Sequence, residues 1–555
     1  MEKLKEKFSG ISAGYIIAFC FSFIAFVYAP LELYLTNIDE FWLKLSEIAV
    51  PVVLLFLASF IGCSAVLTAA RRTNKNLFYV LVTLMTAAVI SLYIQGTFLI
   101  SNLPPLDGTD IKWNSYTAER IKSALAFAVP AIALIILFIF TREKIIKKIA
   151  SVGGACLSLL LIVTLVSLMI TTDTSKPVAR LSTYKNEFLM SKNQNMIILI
   201  VDSLDNASFK NEYENDPELR EALDGFTYYN NALSGYPFTS RSVPFIFSGK
   251  WFENEKPYKD YLADSIVQSP ILTELYDRGY ATGFYNIIKL DLKNQSDYDM
   301  FDNFDPIQVK LLSTKTFKYV FKIGGIKFAP WEIKSRCYNS IGQYATKVVK
   351  SETGYDSFWY DNLYFYNSIK DENPITFSDK NCARIIHLRG SHAPYTLTRN
   401  AERSKGETTH QETVGGCCTI IKQYIKRLKE SGIYDNTAMV ILADHGTQIV
   451  YPTTDESVVK RFHPTLLVKG IGENHEPKIS TAPISYIDLA DSFVKLLDGN
   501  AGDSIFEYKD GDKRTRRVLV YQYLHENEMY EMETDSTADD YAALTKTGKE
   551  FNYKK

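Results

Sequence analysis

The sequence has few cysteines, little net charge and, after residue 171, no long apolar run. Its seven cysteines include no Cys-x-x-Cys pair, which argues against a cysteine-based zinc site. A formal net charge of −2 and the lack of a basic stripe with interleaved aromatics in the second half argue against a nucleic-acid partner. No internal repeat or low-complexity tract is present, so the chain is expected to fold as ordinary domains.

Long apolar runs do occur before residue 171, and each approaches the roughly 20 residues that a membrane-spanning helix needs. They cover residues 11–31, 48–69, 77–100, 123–140 and 150–170. The first run is too long for a removed signal peptide and has no small-residue cleavage site, so we expect a retained helix. The sequence therefore predicts a transmembrane domain of five helices over residues 1–170.

Basic residues predict the orientation of these helices, because basic flanks stay on the cytoplasmic side. Three basic patches share one side of the predicted membrane: Lys3, Lys5 and Lys7; Arg71, Arg72 and Lys75; Arg142, Lys144, Lys147 and Lys148. The loop with Lys112, Arg120 and Lys122, on the opposite side, weakens this count without reversing it. With the N-terminus inside and five crossings, everything after residue 171 is expected outside the cytoplasm.

The part after residue 171 opens with a polar, proline-containing stretch, 171–194, that predicts a linker. Apolar runs of strand length then end in polar residues, as in "NMIILIVDS", "CARIIHLRGSH" and "NTAMVILADHG". Helical stretches such as "TIIKQYIKRLKESG" alternate with them. Residues 195–555 are therefore predicted to form an α/β domain with a mostly parallel sheet flanked by helices.

Four cysteines lie in this predicted outer domain, where disulfides are permitted. They are Cys337, Cys382, Cys417 and Cys418. The adjacent pair Cys417 and Cys418 favours one disulfide partner over a metal site.

Asp202, Asp444 and His445 each directly follow an apolar strand-like run. Since the carboxyl ends of parallel strands meet at one edge of a sheet, we expect these side chains to lie together. Two carboxylates and an imidazole suit a divalent cation. Asp202 taken alone also fits a helix cap. The Asp444-His445-Gly446 triplet favours a site, because a buried acid and imidazole are costly unless paired or metal-bound.

Two histidines are placed in loops by prolines: His392 lies two residues before Pro394, and His463 directly precedes Pro464. One such histidine is usually a structural hydrogen-bonder. Two of them indicate a role in holding phosphate or protonating a leaving group. Structural roles are expected for the remaining histidines, His387, His410, His475 and His525.

The stretch "YPFTSRSVPFIFSG", 236–249, holds Thr239, Ser240 and Ser242 before an apolar run. One hydroxyl could cap the helix that follows. A hydroxyl at a helix N-terminus could equally be a nucleophile, because the backbone N–H groups there stabilise an anion. Arg241 could add donors to a bound phosphate.

Four ordered segments, "IILIVDSLDNASF", "YPFTSRSVPFIFSG", "HLRGSHAPY" and "ILADHG", resemble the alkaline phosphatase and sulfatase superfamily. With five N-terminal helices, the chain is similar to the branch of lipoteichoic acid synthases, phosphoglycerol transferases and lipid A phosphoethanolamine transferases. The resemblance implies an alkaline-phosphatase-like fold and one divalent metal ion, manganese, zinc or magnesium. It implies metal ligands at Asp202, Thr239, Asp444 and His445, with Thr239 as nucleophile.

The same resemblance implies that His392 and His463 contact the substrate phosphate. Two departures from family patterns are present. Asp202 stands where the transferases commonly have glutamate, and aspartate is found there elsewhere in the superfamily. The run Thr239-Ser240-Arg241-Ser242-Val243 lacks the Cys or Ser followed by x-Pro-x-Arg of true sulfatases, which disfavours sulfate-ester hydrolysis.

The expected activity is transfer of a phosphoglycerol or phosphoethanolamine head group from a phospholipid donor to a cell-envelope glycan or lipid. A phosphothreonine intermediate would form at the outer face of a bacterial plasma membrane. The alternatives are a phosphodiesterase or phosphatase with water as acceptor, and a non-catalytic membrane protein that binds an envelope polymer.

Overall fold

The computed structural model describes most of the chain, in stretches separated by short gaps. The described residues are 2–38, 41, 44–100, 113–174, 180–285, 290, 292–306, 313–338, 361–370, 375–406, 408–446, 455–522 and 528–552. The chain divides into two compact units. The first unit is Met1–Ala179 with Ile307–Glu352, and the second unit is Arg180–Pro306 with Thr353–Lys555.

Apolar helices make up most of the first unit. They are α1 (Glu2–Phe23), a π-helical turn (Ile24–Tyr28), α2 (Ala29–Thr36), α3 (Leu45–Thr73), α4 (Lys75–Phe98), α5 (Thr117–Thr141), α6 (Glu143–Lys148), a second π-helical turn (Ile149–Gly153) and α7 (Gly154–Thr171). Five stretches are long and apolar enough to cross a membrane: Ser12–Thr36, Leu45–Thr73, Lys75–Phe98, Thr117–Thr141 and Glu143–Thr171. The prediction of five apolar helices is confirmed.

Two further helices of the first unit come from far along the chain: α13 (Thr314–Phe328) and α14 (Trp331–Cys337). Tyr319, Val320 and Ile323 of α13 share one core cluster with residues of α1 to α3 and α7. The backbone N–H of Trp331 donates to Ser123 Oγ of α5 at 3.0 Å. The predicted outer domain included this segment, but its apolar face packs on the apolar helices instead.

Helix α13 also packs closely against α4. A Cβ atom added at Gly96 would come within 2.1 Å of the Phe328 ring, so only glycine fits there. Lys327 Nζ contacts both carboxylate oxygens of Glu32, at 2.6 and 2.7 Å. These contacts bind α13 to α2 and α4 within the first unit.

The strands lie in the second unit. They are β1 (Arg180–Ser182), β2 (Leu189–Ser191), β3 (Asn195–Val201), β4 (Thr227–Tyr229), β5 (Ala281–Tyr285), β6 (Phe304–Pro306), β7 (Thr376–Ser378), β8 (Cys382–Leu388), β9 (Thr437–Leu442), β10 (Leu466–Lys469), β11 (Lys478–Ser480), β12 (Arg516–Val520), β13 (Glu528–Thr534) and β14 (Thr545–Asn552). The main sheet has seven strands in the order β11-β4-β10-β9-β3-β8-β5. Only β10 runs antiparallel to both of its neighbours, which confirms a mostly parallel sheet.

The helices of the second unit flank this sheet. They are α8 (Asn206–Asn215), α9 (Pro217–Ala222), α10 (Thr239–Ser248), α11 (Tyr258–Val267), α12 (Pro270–Asp277), α15 (Asn362–Lys370), α16 (His410–Glu430), α17 (Asp455–Val459) and α18 (Leu489–Leu497). Two large apolar cores form, one on each face of the sheet: alternate β3 residues, such as Ile198 and Leu199, belong to different cores. The central strands β3, β8 and β9 are buried at every position, as expected for parallel strands covered on both faces.

Two sequence expectations differ from this structure in detail. The predicted linker contains the short strands β1 and β2, which pair with β6 and β7. All seven cysteines are free thiols, and Cys417 and Cys418 are buried on α16. The expected disulfide partner role for this pair is therefore not seen, because the α16 core surrounds both side chains.

Candidate active site

The strand register brings the predicted acidic residues together. In the parallel pairing of β3 with β9, Ile200 lies opposite Leu442. Asp202 and Asp444 each follow two residues later, so their side chains leave the sheet next to each other. On the other side of β3, His387 of β8 also pairs with Ile200. The neighbouring strands β9, β3 and β8 therefore place polar side chains at the same edge of the sheet.

These side chains form a tight buried cluster. Ligand atoms of Asp202, His387 and Asp444 all lie within 4.8 Å of one another. His445 Nε2 lies 3.3 Å from Asp444 Oδ2 and 3.8 Å from Asp202 Oδ1. The Nε2 atom of His387 lies 3.8 Å from Asp202 Oδ2.

Thr239 is the first residue of α10, and its hydroxyl faces this cluster. Thr239 Oγ1 lies 3.3 Å from Asp202 Oδ2 and 3.2 Å from His445 Nε2. The N-cap position belongs to Phe238, so Thr239 does not cap the helix. Ser242, one turn on, donates from Oγ to the carbonyl oxygen of Asp444 at 2.5 Å. The helix N-terminus, with its N–H groups, therefore lies beside the predicted nucleophile.

Ser203 connects the two carboxylates. Its backbone N–H donates to Asp444 Oδ1 at 3.2 Å, and its Oγ donates to Asp202 Oδ1 at 2.7 Å. Its φ of 61° is in the left-handed region, which a side-chain-bearing residue adopts only at some cost. This backbone conformation is what lets one residue hold both carboxylates.

Arg461 supplies the positive charge nearest to the cluster. Its Nη2 lies 3.0 Å from Nε2 and 3.1 Å from Nδ1 of His445, and its Nε donates to the carbonyl of Pro237 at 2.5 Å. The guanidinium lies 4.7 Å from the centre of the Phe238 ring. Arg461 therefore holds the loop before Thr239 against the imidazole of His445.

Burial dominates the electrostatics of the cluster. It raises the pKa of Asp202 well above its ordinary value, and the neighbouring Asp444 raises it further. Burial lowers the pKa of His387 to about 4. Burial, aided by Arg461, lowers the pKa of His445 well below its ordinary value. Two carboxylates thus stand beside imidazoles that are neutral at pH 7.

This donor set fits a divalent cation. Asp444 Oδ2 is buried and accepts no hydrogen bond from any described residue. His445 Nδ1–H donates to the carbonyl of Gly446 at 2.9 Å, so Nε2 carries the lone pair and faces the Thr239 hydroxyl and Arg461 Nη2. Buried carboxylates and a neutral imidazole are the ligands that manganese, zinc and magnesium accept. The predicted ligands Asp202, Thr239, Asp444 and His445 are therefore brought together.

The two loop histidines lie in different surroundings. His392 Nδ1–H donates to the carbonyl of Ala393 at 2.6 Å, and the charges of Asp444 and Arg461 act on its pKa, which burial lowers. His463 donates from Nε2 to the carbonyl of Asn230 at 2.9 Å, and burial lowers its pKa too. His392 thus belongs to the surroundings of the cluster, whereas His463 lies with Asn230. The substrate roles of both stay predictions.

Arg241 lies in an aromatic enclosure. Its guanidinium is 4.4 Å from the centre of the Tyr521 ring and 5.2 Å from that of Phe252, and Nη2 donates to Asn254 Oδ1 at 3.1 Å. The residue is 2% exposed. These neighbours account for its position as a packing element of α10, and its predicted contact with substrate phosphate stays a prediction.

Three residues of the cluster were missed from sequence: His387, Ser203 and Arg461. His387 was expected to be structural, yet it stands one residue before the end of β8, beside Asp202. Its position at the end of a predicted parallel strand was the available signal. Ser203 lies in the turn after β3 and Arg461 in a short 3-10 helix (Lys460–Phe462), and no spacing in the sequence singles them out.

A family model described as Sulfatase matches residues 194–499, which is more than half of the chain and includes the whole cluster. No curated protein sequence gives a significant match. Sulfatase-superfamily enzymes depend on divalent metals, in agreement with the donor set above.

Solved structures give weaker likenesses. A protein in the alkaline phosphatase superfamily from Vibrio parahaemolyticus is 15% identical, with 67% of this chain and 80% of that chain covered and a TM-score of 0.36. The lipoteichoic acid synthase LtaP from Listeria monocytogenes is 15% identical, with 67% and 88% covered and a TM-score of 0.35. The PsFucS1 sulfatase from Pseudoalteromonas sp. is 13% identical, with 65% and 84% covered and a TM-score of 0.39. On the match of the family model, the chain belongs to the sulfatase family, as the four sequence segments predicted.

Proposed function

We propose that the protein is a membrane-anchored, metal-dependent transferase. It moves a phosphoglycerol or phosphoethanolamine head group from a phospholipid to a cell-envelope glycan or lipid through a phosphothreonine intermediate. One observation carries the proposal: the Thr239 hydroxyl, at the start of α10, lies 3.3 Å from Asp202 Oδ2 and 3.2 Å from His445 Nε2. A hydroxyl between a carboxylate and an imidazole at a helix N-terminus is arranged as a nucleophile towards an anion.

In the first step, Thr239 Oγ1 attacks the phosphorus of the lipid phosphodiester. Oγ1 attacks as the alkoxide, its proton having left to solvent water, which the partly exposed Thr239 can reach, so Asp202 stays ionised. The bond between phosphorus and the diacylglycerol oxygen breaks, and that oxygen keeps the electron pair and takes a proton from protonated His392. Burial lowers the pKa of His392 below its ordinary value, so the protonated form is a minor one at pH 7 and gives up its proton readily.

In the second step, an acceptor hydroxyl attacks the phosphothreonine and gives its proton to His392. The bond between phosphorus and Thr239 Oγ1 breaks, and Oγ1 keeps the electron pair, which regenerates the alkoxide. Donor and acceptor thus exchange one head group while the protein ends as it began. The N–H groups at the start of α10 stabilise the phosphate oxygens in both steps.

Asp202, Asp444, His445 and Thr239 Oγ1 are the residues that would hold the metal ion. A divalent cation bound there would offset the charge of the two carboxylates and lower the pKa of the threonine hydroxyl. Manganese, zinc and magnesium all accept this donor set.

The first unit supports a lipid donor. Five of its helices are long and apolar enough to cross a membrane, so the chain would stay where lipid phosphates are found. The basic patches at Arg71, Arg72 and Lys75 and at the α5–α6 boundary support an inside N-terminus. We therefore place the second unit on the extracytoplasmic face of a bacterial plasma membrane.

The residue type at position 239 supports phosphate over sulfate. Threonine followed by Ser240 and Arg241 lacks the Cys or Ser with x-Pro-x-Arg of sulfatases that convert this residue. A threonine hydroxyl can form a phosphate ester directly.

The test uses the full-length protein in vesicles with a phospholipid labelled in its head group. Thr239→Ala should abolish release of diacylglycerol and the head-group adduct that mass spectrometry detects on the peptide with Thr239. Ser240→Ala, a neighbouring hydroxyl, is the matched control and should leave both signals unchanged. Unchanged turnover in Thr239→Ala would show that the nucleophile is wrong.

Hydrolysis is the second candidate, because Thr239 is partly exposed and water could replace the acceptor. In that case the protein is a phosphodiesterase or phosphatase on the same site. Transfer requires that labelled product accumulates only when a glycan or lipid acceptor is added, whereas hydrolysis releases the free head group at the same rate without one.

A further inference from the structure

A cavity of about 510 Å³ opens among α1, α3 and α4, where the middle of α1, the end of α3 and the start of α4 meet. It is lined by Gly14, Tyr15, Leu67, Thr68, Arg71, Arg72 and Phe78. It lies in the first unit and shares no residue with the Thr239 cluster. It is therefore a site separate from that cluster.

One side of this cavity is built for an anion. Arg71 and Arg72 occupy the last turn of α3. Thr68 Oγ1 donates to the carbonyl of Ser64 at 2.7 Å and accepts from the Tyr15 hydroxyl at 3.2 Å, so these two residues make the wall polar. The Arg71 guanidinium lies 5.0 Å from the centre of the Phe78 ring, which orients it along the apolar wall. Two guanidinium groups beside this polar wall match the oxygens of a phosphate diester.

An apolar cavity of about 500 Å³ adjoins the first one and shares Leu67 with it. It lies between the same three helices and is lined by Phe21, Ala58, Ser59, Gly62, Cys63, Val66, Leu67, Leu81, Leu84, Met85 and Ala88. Ser59 is the one residue with a polar oxygen side chain in that set, and its Oγ pairs with Ser22 Oγ at 2.9 Å. The second cavity therefore suits hydrocarbon.

The combined length of the two adjoining cavities matches the hydrocarbon thickness of one membrane leaflet. On α4 the lining runs from Phe78 to Ala88. Ten residues of α-helix rise about 15 Å, which is half of a hydrocarbon core of about 30 Å. An anionic end and an apolar groove of this length are the two halves of a phospholipid.

We propose that this double cavity is a binding site for one anionic glycerophospholipid. The head-group phosphate contacts Arg71 and Arg72, and an acyl chain lies in the groove beside Gly62. Basic pockets between transmembrane helices bind anionic lipid head groups in this manner. The bound lipid fills the space among α1, α3 and α4 that side chains leave open.

The apolar cavity, which we call the groove, is tested by the variant Gly62→Leu. A Cβ atom at Gly62 would meet nothing within 4 Å, and Gly62 lines the apolar cavity, so a leucine there is expected to occupy part of the space for the acyl chain. Ala65→Leu is the matched control, since Ala65 is exposed on the same helix and does not line the groove. Native mass spectrometry of the full-length protein, taken from vesicles of equal phosphatidylglycerol and phosphatidylcholine, should show retained phosphatidylglycerol for wild type and Ala65→Leu but not for Gly62→Leu.

The anionic end is tested by the double variant Arg71→Gln/Arg72→Gln. Its retention of phosphatidylglycerol should fall about 20- to 30-fold, from the loss of two cationic contacts. Lys144→Gln/Lys148→Gln removes the same charge from exposed positions outside the cavity and should change retention less than about threefold. Equal loss in both double variants would overturn the site, because bulk charge would then explain the binding.

Two further measurements need no variant. A photoactivatable phosphatidylglycerol should label the α3 peptide that contains Gly62 in the wild-type protein, and labelling confined to other helices overturns the proposal. Inorganic phosphate at millimolar concentration should leave the retained lipid in place. Displacement by phosphate, or equal retention of phosphatidylcholine, would show a simple anion site or unselective lipid instead.

Discussion

The two units of this chain place apolar and polar side chains in opposite ways. Among the described residues, all but four of the exposed large apolar side chains lie in the first unit, with Phe140 at 82% exposure. The second unit keeps its apolar residues in two cores and buries Asp202, Asp444 and His445 instead. One unit is thus suited to lipid as its solvent and the other to water.

The units also differ in how they treat buried charge. In the first unit, Lys327 and Glu32 form a close pair, with their side chains 12% and 13% exposed. In the second unit, Asp202 and Asp444 lie side by side among neutral imidazoles. A compensated pair holds helices together, whereas two adjacent buried acidic groups with one guanidinium, Arg461, nearby mark the place where a cation and a reaction belong.

The largest effect is expected where charge is least compensated. Asp444→Asn should lower turnover by at least about 10³-fold, beyond the 10- to 100-fold usual when an outer partner of a metal ligand is lost. It should also lower the metal content measured by elemental analysis. Asp435→Asn, the same change just before the other end of β9 at an exposed position, should leave both values near wild type. Full metal content in Asp444→Asn would contradict the metal assignment.

Loss of the ion pair between Lys327 and Glu32 should lower the stability of the protein rather than its turnover. Glu32→Gln leaves Lys327 buried without its partner and should lower the free energy of unfolding by about 3 kcal/mol. Thermal unfolding of the full chain in detergent measures the change. The double variant Glu32→Gln/Lys327→Gln should recover part of the loss, because no charge is then buried alone. A double variant less stable than Glu32→Gln would show that the pair is not the cause.

Two variants of Ser203 distinguish its role in positioning the carboxylates from its effect on the stability of the second unit. Ser203→Ala removes the hydrogen bond to Asp202 Oδ1 but keeps the N–H that binds Asp444, so turnover and metal affinity should fall about 10- to 100-fold. Ser203→Gly removes the same hydroxyl but relieves the φ of 61°. It should therefore match Ser203→Ala in activity while unfolding at a higher temperature. Equal unfolding temperatures would mean that the left-handed backbone carries no strain.

The smallest effect concerns Glu187, which is buried in the second unit outside the cluster. Burial raises its pKa well above the ordinary value, and Tyr364 donates to Oε2 at 3.4 Å. The folded state therefore binds a proton that the unfolded state releases, so stability is full below the unfolded pKa of about 4.3 and is lost as pH rises. The loss is at most about 1.4 kcal/mol per pH unit.

Glu187→Gln should flatten this part of the dependence, because an amide does not titrate in this range. Unfolding temperatures of wild type and variant between pH 5 and pH 8 measure it, with Tyr364→Phe as the control that keeps the carboxyl group. Parallel curves for wild type and Glu187→Gln would show that the carboxyl group is not the source.

Much of the second unit could be predicted from sequence, because local patterns determine it. Apolar runs of strand length predicted β3, β8 and β9, and a parallel register places whatever follows them at one edge. Asp202, Asp444 and His445 were therefore accessible, and the hydroxyl run indicated Thr239. Arg461 and Ser203 were not, since their roles depend on the path of a loop and on one backbone angle.

The first unit was predictable only in part for a different reason. Five apolar runs were long enough to predict membrane-spanning helices, and all five form helices. In α13, apolar residues alternate with lysines at helical spacing, as in an amphipathic helix of an ordinary domain. Sequence periodicity indicates that such a helix has an apolar face, but not which surface covers it.

The origin of α13 and α14 has a practical consequence for anyone who cuts the chain. A fragment that begins at Arg180 would contain all of the second unit, yet it would also carry Tyr319, Val320 and Ile323 without the helices that cover them. Uncovered aromatic and aliphatic side chains on one helix face favour self-association. A fragment in which a short polar connector replaces residues 307–352 removes that face and should stay monodisperse at concentrations where the uninterrupted fragment precipitates.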